Sequence, residues 1–317
     1  MKKVLVIGCG NIGALYDLER NDILTHVKAF SLDYRFHLTI CDNDPKILSL
    51  LVEKYNCKSI LNSELTTDEL DKYDLITIAT PTDTHYEYLF KALNAKAKII
   101  ICEKPISLDL SRLNSIKNKY IKSSKKILVN YTRRFQPSYQ EIKNNISTIL
   151  KNERITNISI RYQRGFLNNC SHAIDTLEFL LGVKIDFDFF QKFVENYDAF
   201  EFDPTLNALG FQDGINFSIV GFANVKFSFF EIDICFQTYK VSLINSGRDC
   251  IVSKSKSNGR YFQPLDEYEI LSLKNCLNDQ MKHVISHSYN FFEDNELPDN
   301  FLDSIELNYK MLKFINN

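Results

Sequence analysis

The chain has 317 residues, 44% of them hydrophobic and 25% charged, with a formal net charge of −2. This length suggests two domains, and the composition is that of an ordinary globular protein. The charge balance gives no electrostatic reason to expect nucleic acid or an anionic membrane as a partner. No apolar run approaches the ~20 residues of a membrane span, and the first one stops at Gly8 without a cleavage-type sequence. The sequence therefore predicts a cytoplasmic protein.

The cysteines indicate neither disulfides nor zinc. All eight lack C-x-x-C spacing, and several lie in apolar, strand-like segments, such as Cys41, Cys102 and Cys235. Buried free thiols are the predicted state, and no metal site is predicted.

The first predicted element is a strand at residues 3–7, followed by a turn with G-x-G-x-x-G spacing at residues 8–13. In a dinucleotide-binding loop, the first glycine permits a tight turn, the second lets the backbone approach a pyrophosphate, and the third lets a helix pack on the strand. A phosphate is expected at the N-terminus of that helix. Glycines often merely make turns, but the preceding strand is the context this pattern requires. The predicted cofactor-binding residues are Gly8, Gly10, Asn11, Ile12 and Gly13.

The second predicted strand covers residues 37–41 and ends at Asp42. A carboxylate at this position accepts hydrogen bonds from the adenosine ribose and repels a 2′-phosphate, so it favours NAD over NADP. Its distance from the glycines exceeds the usual ~20 residues, and the excess falls at residues 16–24. Asp42 also suits turn chemistry with the residues that follow it, and both roles can hold.

Strand-like and helix-like segments continue to alternate through the first half of the chain. The predicted helices are 45–54, 67–70, 109–123 and one that begins near His85, capped by Asp83 or Thr84; the predicted strands are 59–61, 74–79, 99–102 and 126–130. Alternation repeated about five times indicates a parallel, doubly wound sheet.

The strand at residues 99–102 ends abruptly in Glu103, Lys104 and Pro105. Open α/β sheets bind ligands beyond the C-terminal ends of their strands, so Lys104 is expected where a cofactor and a substrate would meet. Pro105 stiffens the backbone that carries it. The alternative is a surface lysine paired with Glu103.

The second half changes to period-two alternation, which indicates a largely antiparallel sheet. The alternating apolar positions are Ile158, Ile160 and Tyr162; Phe217 and Ile219; Phe227 and Phe229; Ile232, Ile234 and Phe236; Tyr239, Val241 and Leu243. One face is expected to lie on helices. The other is rich in phenylalanine and is predicted to be a subunit interface of a homodimer or homotetramer. Two helices, residues 273–293 and 298–316, are predicted to end the chain.

Within residues 165–175, His172 and Asp175 lie one helical turn apart and face the same way, ahead of an apolar helix at 177–181. A histidine with a pKa near neutrality can take and return a proton at physiological pH. The alternative is a histidine that forms local hydrogen bonds at a helix N-terminus. The residues alone leave this choice open.

The glycine loop, the Ala-Thr-Pro-Thr-Asp-Thr-His segment at 79–85 and the Cys-Glu-Lys-Pro segment at 102–105 together resemble the Gfo/Idh/MocA family, named for glucose–fructose oxidoreductase, inositol dehydrogenase and MocA-like proteins. The match covers most of residues 1–135 and resumes around 160–182. It implies an NAD-binding Rossmann domain at 1–122. An α+β domain with an open, mostly antiparallel sheet would follow at 123–317, with C-terminal helices able to pack back on the first.

The resemblance also implies roles for individual residues. Those implied to line the cofactor are Thr80, Pro81, His85, Glu103 and Lys104. Lys104 would also contact the reacting hydroxyl of a sugar, inositol or sugar nucleotide, and His172 would be the catalytic acid and base. Residues 131–137 resemble the family segment that borders nicotinamide and substrate. The implied substrate-binding residues are Arg133, Arg134, Asn168 and Asp175.

Asn168 departs from the family pattern, because many members carry aspartate four residues before the histidine. An amide can orient a hydroxyl but cannot accept a proton, so the catalytic roles would fall to His172 and Lys104. The sequence therefore predicts an NAD-dependent dehydrogenase acting on a carbohydrate-type alcohol. Two alternatives stay open: an NAD-binding regulatory or accessory protein with reduced turnover, and an enzyme that recycles tightly bound NAD for net epimerisation, transfer or hydrolysis.

Overall fold

This computed structural model describes residues 1–256 and 264–317. The chain divides into two compact units, which are described separately: Met1–Phe135 with Asn278–Tyr309, and Gln136–Leu277 with Lys310–Asn317. The first division falls later than the predicted boundary at 122/123, because the strand Lys126–Val129 pairs within the first sheet.

The described strands form two sheets. The first contains β1 (Lys2–Ile7), β2 (Phe36–Asp42), β3 (Lys58–Leu61), β4 (Leu75–Ile78), β5 (Ile99–Cys102) and β6 (Lys126–Val129). The second contains β7 (Ile155–Tyr162), β8 (Phe190–Asn196), β9 (Thr205–Gln212), β10 (Ile215–Gly221), β11 (Phe230–Phe236), β12 (Tyr239–Ile244), β13 (Asp249–Ser255) and β14 (Leu265–Glu267).

The described α-helices are α1 (His26–Ser31), α2 (Pro45–Tyr55), α3 (Thr67–Leu70), α4 (Thr82–Asn94), α5 (Leu110–Ile121), α6 (Pro137–Leu150), α7 (Ser171–Leu181), α8 (Gln280–Glu293) and α9 (Phe301–Asn316). Side chains cap several of them as their residue types favour: Asp44 accepts from the Lys46 amide before α2, and Asp109 from the Ser111 amide before α5. Among the described helices, none combines the length and apolarity required to cross a lipid bilayer.

The first sheet is wholly parallel, in the order β3-β2-β1-β4-β5-β6. This confirms the predicted doubly wound Rossmann architecture. Its strand order reverses between β1 and β4, which is where such sheets bind ligands. The helix α8 contributes Met281, Val284 and Ile285 to the same apolar core as Val4 and Ile101.

The second sheet has the order β14-β13-β12-β11-β7-β10-β9-β8, in which β7 and β10 are parallel and the other described pairs antiparallel. This confirms the predicted open, mostly antiparallel sheet. Alternate residues of β7 and β11 are buried, such as Ile160 and Ile232, and α7 packs against β11. Asp213 and Gly214 have φ of 53° and 80° and form the two-residue turn between β9 and β10.

Several predicted boundaries were wrong. Helix α4 begins at Thr82, with Pro81 at its N-cap and no side-chain cap, because proline is well suited to the start of a helix. Helix α7 begins at Ser171 rather than near 177. Phe227 and Phe229 precede β11 instead of lying in a strand. The segment predicted to begin a helix at 273 is extended there, because the amide and carbonyl of Leu273 pair with Cys250.

Candidate active site

The glycine loop between β1 and the next helical turn has the geometry of a dinucleotide-binding loop. A Cβ on Gly8 would lie 2.7 Å from the Ala79 carbonyl, and one on Gly13 would lie 2.1 Å from the Gly8 oxygen, so both positions require glycine. A Cβ on Gly10 would meet nothing within 4 Å, which leaves this backbone open to a ligand. Close packing at the outer glycines and an open central one are what pyrophosphate binding needs. The loop therefore fits a dinucleotide.

The helix predicted directly after this loop is shorter than expected. It is a single turn, Asn11–Leu15, in which the amides of Ala14 and Leu15 both bond to the Gly10 carbonyl. Five residues align few peptide dipoles. The expected regular helix is therefore replaced by a short turn, and the phosphate site itself stays a prediction. Asn11 is exposed on this turn, and Ile12 packs against the core.

A buried aspartate organises the extra residues at 16–24. Asp17 accepts hydrogen bonds through Oδ2 from the amides of Leu24 (2.6 Å) and Thr25 (2.9 Å), and through Oδ1 from the Thr25 hydroxyl (2.7 Å). The Thr25 hydroxyl in turn accepts from the Lys28 amide and caps α1. The extra segment therefore sets where α1 begins.

Asp42, at the end of β2, is tied to the glycine loop. Its Oδ2 accepts from the Cys9 amide at 2.7 Å, and its Oδ1 accepts from the Asp44 amide at 3.0 Å. The turn role suggested by the sequence is thus present. An ionised carboxylate offers about four acceptor positions, so these two bonds leave room for ribose hydroxyls.

His85 is buried between two strand-end loops. Its Nδ1 lies 2.8 Å from the Pro105 carbonyl oxygen, and its Nε2 lies 2.8 Å from the Thr80 carbonyl oxygen. Burial lowers the pKa of His85, and the two carbonyls and the charge of Glu103 offset only part of this effect. His85 therefore joins the loops after β4 and β5, and its implied place along a cofactor stays a prediction.

Thr80 and Pro81 lie at the carboxyl end of β4. The Thr80 hydroxyl oxygen accepts a hydrogen bond from the Thr84 hydroxyl at 2.8 Å. Thr80 is partly exposed and Pro81 is exposed, so this loop is accessible to a ligand at the edge where Gly8 also lies.

Glu103 is buried at the end of β5 and is bonded to the protein. Its Oε1 accepts from His26 Nε2 at 2.8 Å and from Asn130 Nδ2 at 2.5 Å. Burial alone raises the pKa of Glu103. The hydrogen bond and charge interaction with His26, the hydrogen bond from Asn130 and the charge of Lys104 outweigh this effect, so the net shift of the pKa is downward. The carboxyl group is held by these two side chains, and the cofactor contact that the resemblance implied stays a prediction.

Lys104 follows directly and is half-buried at the carboxyl end of the parallel sheet, where the sequence predicted it. The backbone at the C-terminal end of β5 is hydrogen-bonded to the ends of the neighbouring strands β4 and β6. The Glu103 amide donates to the Ile78 carbonyl at 3.0 Å, and the Cys102 carbonyl accepts from the Asn130 amide at 2.9 Å. The peptide bond between Lys104 and Pro105 is cis.

The two adjacent arginines occupy the helical turn Thr132–Phe135 after β6. Arg133 is buried, which excludes the solvated turn that two charged residues would otherwise suggest. Arg134 Nη1 lies 3.5 Å from Asp303 Oδ2 on α9.

In the second unit, Asp203 supports the segment that carries the predicted catalytic histidine. It is buried and accepts hydrogen bonds from the amides of Leu167 (Oδ1, 2.7 Å) and Asn168 (Oδ2, 2.8 Å). These amides lie at the start of the turn Phe166–Cys170, where the helical turn itself offers them no acceptor. The Asn168 side chain donates to the Arg164 carbonyl at 3.3 Å.

His172 lies in the first turn of α7 and is half-buried. Its ring stacks on Phe230, with centroids 6.5 Å apart and planes inclined by 15°. Asp175 follows one turn later and is buried. A partly exposed imidazole with one face against an aromatic ring is restrained in orientation, which suits a proton-transfer group.

Sequence reasoning missed four polar residues that shape these sites: Asp17, His26, Asn130 and Asp203. Three of them bond to partners that are distant in the chain, as His26 does to Glu103 over 77 residues. The partners of Asp17 are only seven and eight residues away, but no recognised motif marks that pairing. The Asp203-Pro204 dipeptide was a turn signal, but it did not indicate which amides the carboxylate would accept from.

Comparisons with known proteins agree with this geometry. The model of an oxidoreductase family with an NAD-binding Rossmann fold matches residues 2–131. The inositol 2-dehydrogenase of Rhizobium meliloti (strain 1021) is 28% identical over 194 residues, which are 56% of this chain and 54% of that protein. Inositol 2-dehydrogenase 1 of Paenarthrobacter aurescens (strain TC1) is 25% identical over 282 residues, 82% of this chain and 76% of that protein. The chain thus spans about half the length of the first of these relatives.

A solved structure extends the likeness to nearly the whole fold. KijD10, a 3-ketoreductase from Actinomadura kijaniata crystallised with NADP and TDP-benzene, superimposes with a TM-score of 0.75 at 13% identity. The superposition covers 98% of this chain and 96% of that one. At this identity the likeness concerns the fold alone.

Proposed function

We propose that this chain is a member of the Gfo/Idh/MocA oxidoreductases, the family whose Rossmann-fold model matches residues 2–131, and that it transfers hydride between a nicotinamide cofactor and a ring hydroxyl or ketone of an inositol, sugar or sugar nucleotide. The observation that carries this proposal is the glycine loop, whose central Gly10 leaves open space while Gly8 and Gly13 are packed. The relatives named inositol 2-dehydrogenase support an inositol or a related polyol as the first substrates to test.

The proposed cofactor is NAD. Gly8, Gly10 and Gly13 would hold the pyrophosphate, and the Asp42 carboxylate would accept from the ribose hydroxyls and repel a 2′-phosphate. Asn11, Ile12, Thr80 and Pro81 would line the same loops. When bound, the nicotinamide supplies or accepts the hydride, and the protein supplies position and charge.

Lys104 is the proposed electrostatic catalyst. It stands beyond the carboxyl end of β5, where parallel sheets place their ligands. As an ammonium, it would donate a hydrogen bond to the reacting oxygen and stabilise the alkoxide that develops as the hydroxyl proton leaves.

His172 is the proposed general acid and base. Its imidazole would remove the hydroxyl proton during oxidation and return it during reduction. Asn168 and Asp175 would orient substrate hydroxyls, and Arg133 and Arg134 would border the substrate. Because Arg134 already pairs with Asp303, an anionic substrate group would have to compete for it.

The second sheet is the proposed surface for a homodimer or homotetramer. Leu209 and Phe211 lie on one face of β9 and are 53% and 60% exposed. Covering apolar side chains of this size is favourable at roughly 25 cal/mol per Å² buried. Light scattering coupled to gel filtration would test this, because Phe211→Asp should shift the assembly toward the monomer.

One observation favours a second candidate function. Asn168 cannot accept a proton, so a protein that binds NAD and turns over little would also suit this sequence. A dehydrogenase should reduce NAD in a stopped-flow mixing experiment with its substrate, whereas an accessory protein should bind NAD without that absorbance change.

The test uses the purified protein with NAD or NADP and a panel of myo-inositol, scyllo-inositol, glucose and a nucleotide-linked glucose, followed at 340 nm. The expected result is NAD reduction with at least one member, and its loss in Lys104→Met. Absence of nucleotide binding by calorimetry would overturn the proposal. Binding without turnover of any panel member would favour the accessory protein. Mass spectrometry of small molecules released from the protein would identify retained NAD.

A further inference from the structure

We propose that His26 is a positioning residue that holds the Glu103 carboxylate as a fixed negative charge behind Lys104. This rests on the function proposed for Lys104. Nothing in the sequence pattern of the strand-end motif points to a residue on α1, and the inference comes from side-chain contacts within the first unit.

The contact is buried and joins three elements. His26, in the first turn of α1, places Nε2 at 2.8 Å from Glu103 Oε1, and Asn130, directly after β6, places Nδ2 at 2.5 Å from the same oxygen. An ionised carboxylate only accepts, so both partners must donate. Two donors on one oxygen fix the orientation of the carboxyl group at the end of β5.

These donors decide the charge of Glu103. A buried carboxyl group without them would favour its neutral form, because burial disfavours the charge. The hydrogen bonds from His26 and Asn130 lower the pKa of Glu103 against that effect. Removing His26 leaves only the Asn130 hydrogen bond and the Lys104 charge to offset the loss of hydration, so the pKa of Glu103 should rise.

The charge of Glu103 matters for Lys104 because the two residues are adjacent in the chain. The Lys104 charge is among the causes that lower the pKa of Glu103, and such coupling acts equally in both directions. An anion at Glu103 therefore favours the ammonium form of Lys104, which is the form that can stabilise an alkoxide. Loss of that anion would let Lys104 release its proton at lower pH.

Other titratable groups also interact with Glu103. Besides His26 and Lys104, the described titratable groups coupled to Glu103 are His85 from α4 and the buried thiol Cys102 on β5. Helix α8 contributes Met281, whose sulfur lies 3.9 Å from Asn130 Nδ2 and carries no charge.

The extra segment at residues 16–24 supports the helix that carries His26. Asp17 bonds to both backbone and side chain of Thr25, the N-cap of α1, and so fixes the residue that precedes His26. Asp17 therefore helps to hold the start of α1, from which His26 reaches Glu103.

The test measures the reactivity of Lys104 in the intact protein without substrate. Acetic anhydride labels deprotonated amines, and peptide mass spectrometry after labelling across a pH series gives the midpoint for Lys104. In Glu103→Gln, which removes the carboxylate charge, this midpoint should fall by about one pH unit, the usual size of a shift caused by a neighbouring charge. In His26→Leu, where the carboxylate stays charged but loses its fixed orientation, the midpoint should fall by a smaller amount. His26→Gln keeps a donor of similar reach and should restore the wild-type midpoint. His37→Leu, which replaces an exposed histidine of β2, is the matched control and should change nothing.

A purely structural His26 would give a lower melting temperature with an unchanged Lys104 midpoint in the folded protein, and that result overturns the proposal. If His26→Leu does not fold, Glu103→Gln carries the test, because it removes the charge and keeps the shape. An unchanged midpoint in Glu103→Gln also overturns it.

The labelling result is independent of the proposed dehydrogenase activity. A displaced midpoint without turnover on any substrate would retain the role of His26 and remove the proposed reaction. With turnover, His26→Leu should lower kcat about tenfold, the lower end of the effect of a residue that orients a functional group, and leave the KM for NAD unchanged.

Discussion

Gly165 and Asp203 are so close that a Cβ on Gly165 would lie 2.2 Å from Asp203 Oδ2. Gly165 also has φ of +85°, a conformation that side chains other than glycine rarely adopt. The Asp203 carboxylate must lie this close because it accepts hydrogen bonds from the amides of Leu167 and Asn168, just beyond the glycine. The segment leading to His172 thus depends on a residue without a side chain.

Gly165→Ala should therefore destabilise the protein by about 2–4 kcal/mol, from backbone strain and displacement of the Asp203 carboxylate. Gly182→Ala is the matched control, because Gly182 also has positive φ (+68°) but would place its Cβ in open space. Urea unfolding followed by circular dichroism measures both. Equal losses in the two variants would show that the contact with Asp203 contributes nothing.

Lys104→Ala should lower kcat by about 10²–10⁴-fold, because the developing alkoxide loses its ammonium partner. The dissociation constant of NAD should stay within twofold. Lys98→Ala, at an exposed lysine just before β5, should leave both quantities unchanged. Wild-type turnover in Lys104→Ala would remove this residue from the mechanism.

His172→Asn should also reduce kcat by about 10²–10⁴-fold, because an amide cannot take the hydroxyl proton. Its pH–rate profile should lose the limb that reports a group titrating near neutrality. Nucleotide binding, measured by calorimetry, should not change. A profile identical to that of the wild type would assign the proton transfer elsewhere.

Asp42→Ala should relax discrimination between the two cofactors. Removing the carboxylate abolishes its repulsion of a 2′-phosphate and its contacts with ribose, so the ratio of NADPH to NADH dissociation constants should fall about tenfold. Fluorescence titration gives both constants, and Asp44→Ala on the same turn is the control. Tighter binding of NADPH than NADH to the wild-type protein would contradict the cofactor assignment.

His85 should make stability depend on pH in a defined direction. Its pKa is lowered by burial, so the unfolded chain takes up a proton below pH ~6.5 that the folded protein does not. Stability should be complete above that pH and decline as the pH falls. The loss in urea midpoint between pH 7.5 and 5.5 should be smaller in His85→Gln. His283 and His287, whose pKa values are also lowered by burial, are common to both proteins and cancel in the comparison. An equal loss in both would exclude His85 as a source.

The sequence by itself determined the elements whose signals are local. Apolar runs predicted the six parallel strands, Asp44 and Asp109 predicted helix starts, and the glycine spacing predicted an open loop after β1. Each depends on residues within one or two turns of each other, so the chain need not be folded for the pattern to be visible. The placement of Lys104 at the end of β5 followed from the same local information.

Only the tertiary structure decided which polar groups meet. The family resemblance implied that Glu103 and His85 line a cofactor, and the structure shows that both are buried against partners from other elements. The pairing of His26 with Glu103 spans 77 residues, and the first unit is completed by helix α8 from the far end of the chain. Burial and hydrogen bonding between distant segments depend on how helices pack on the sheet, and no spacing along the chain encodes that geometry.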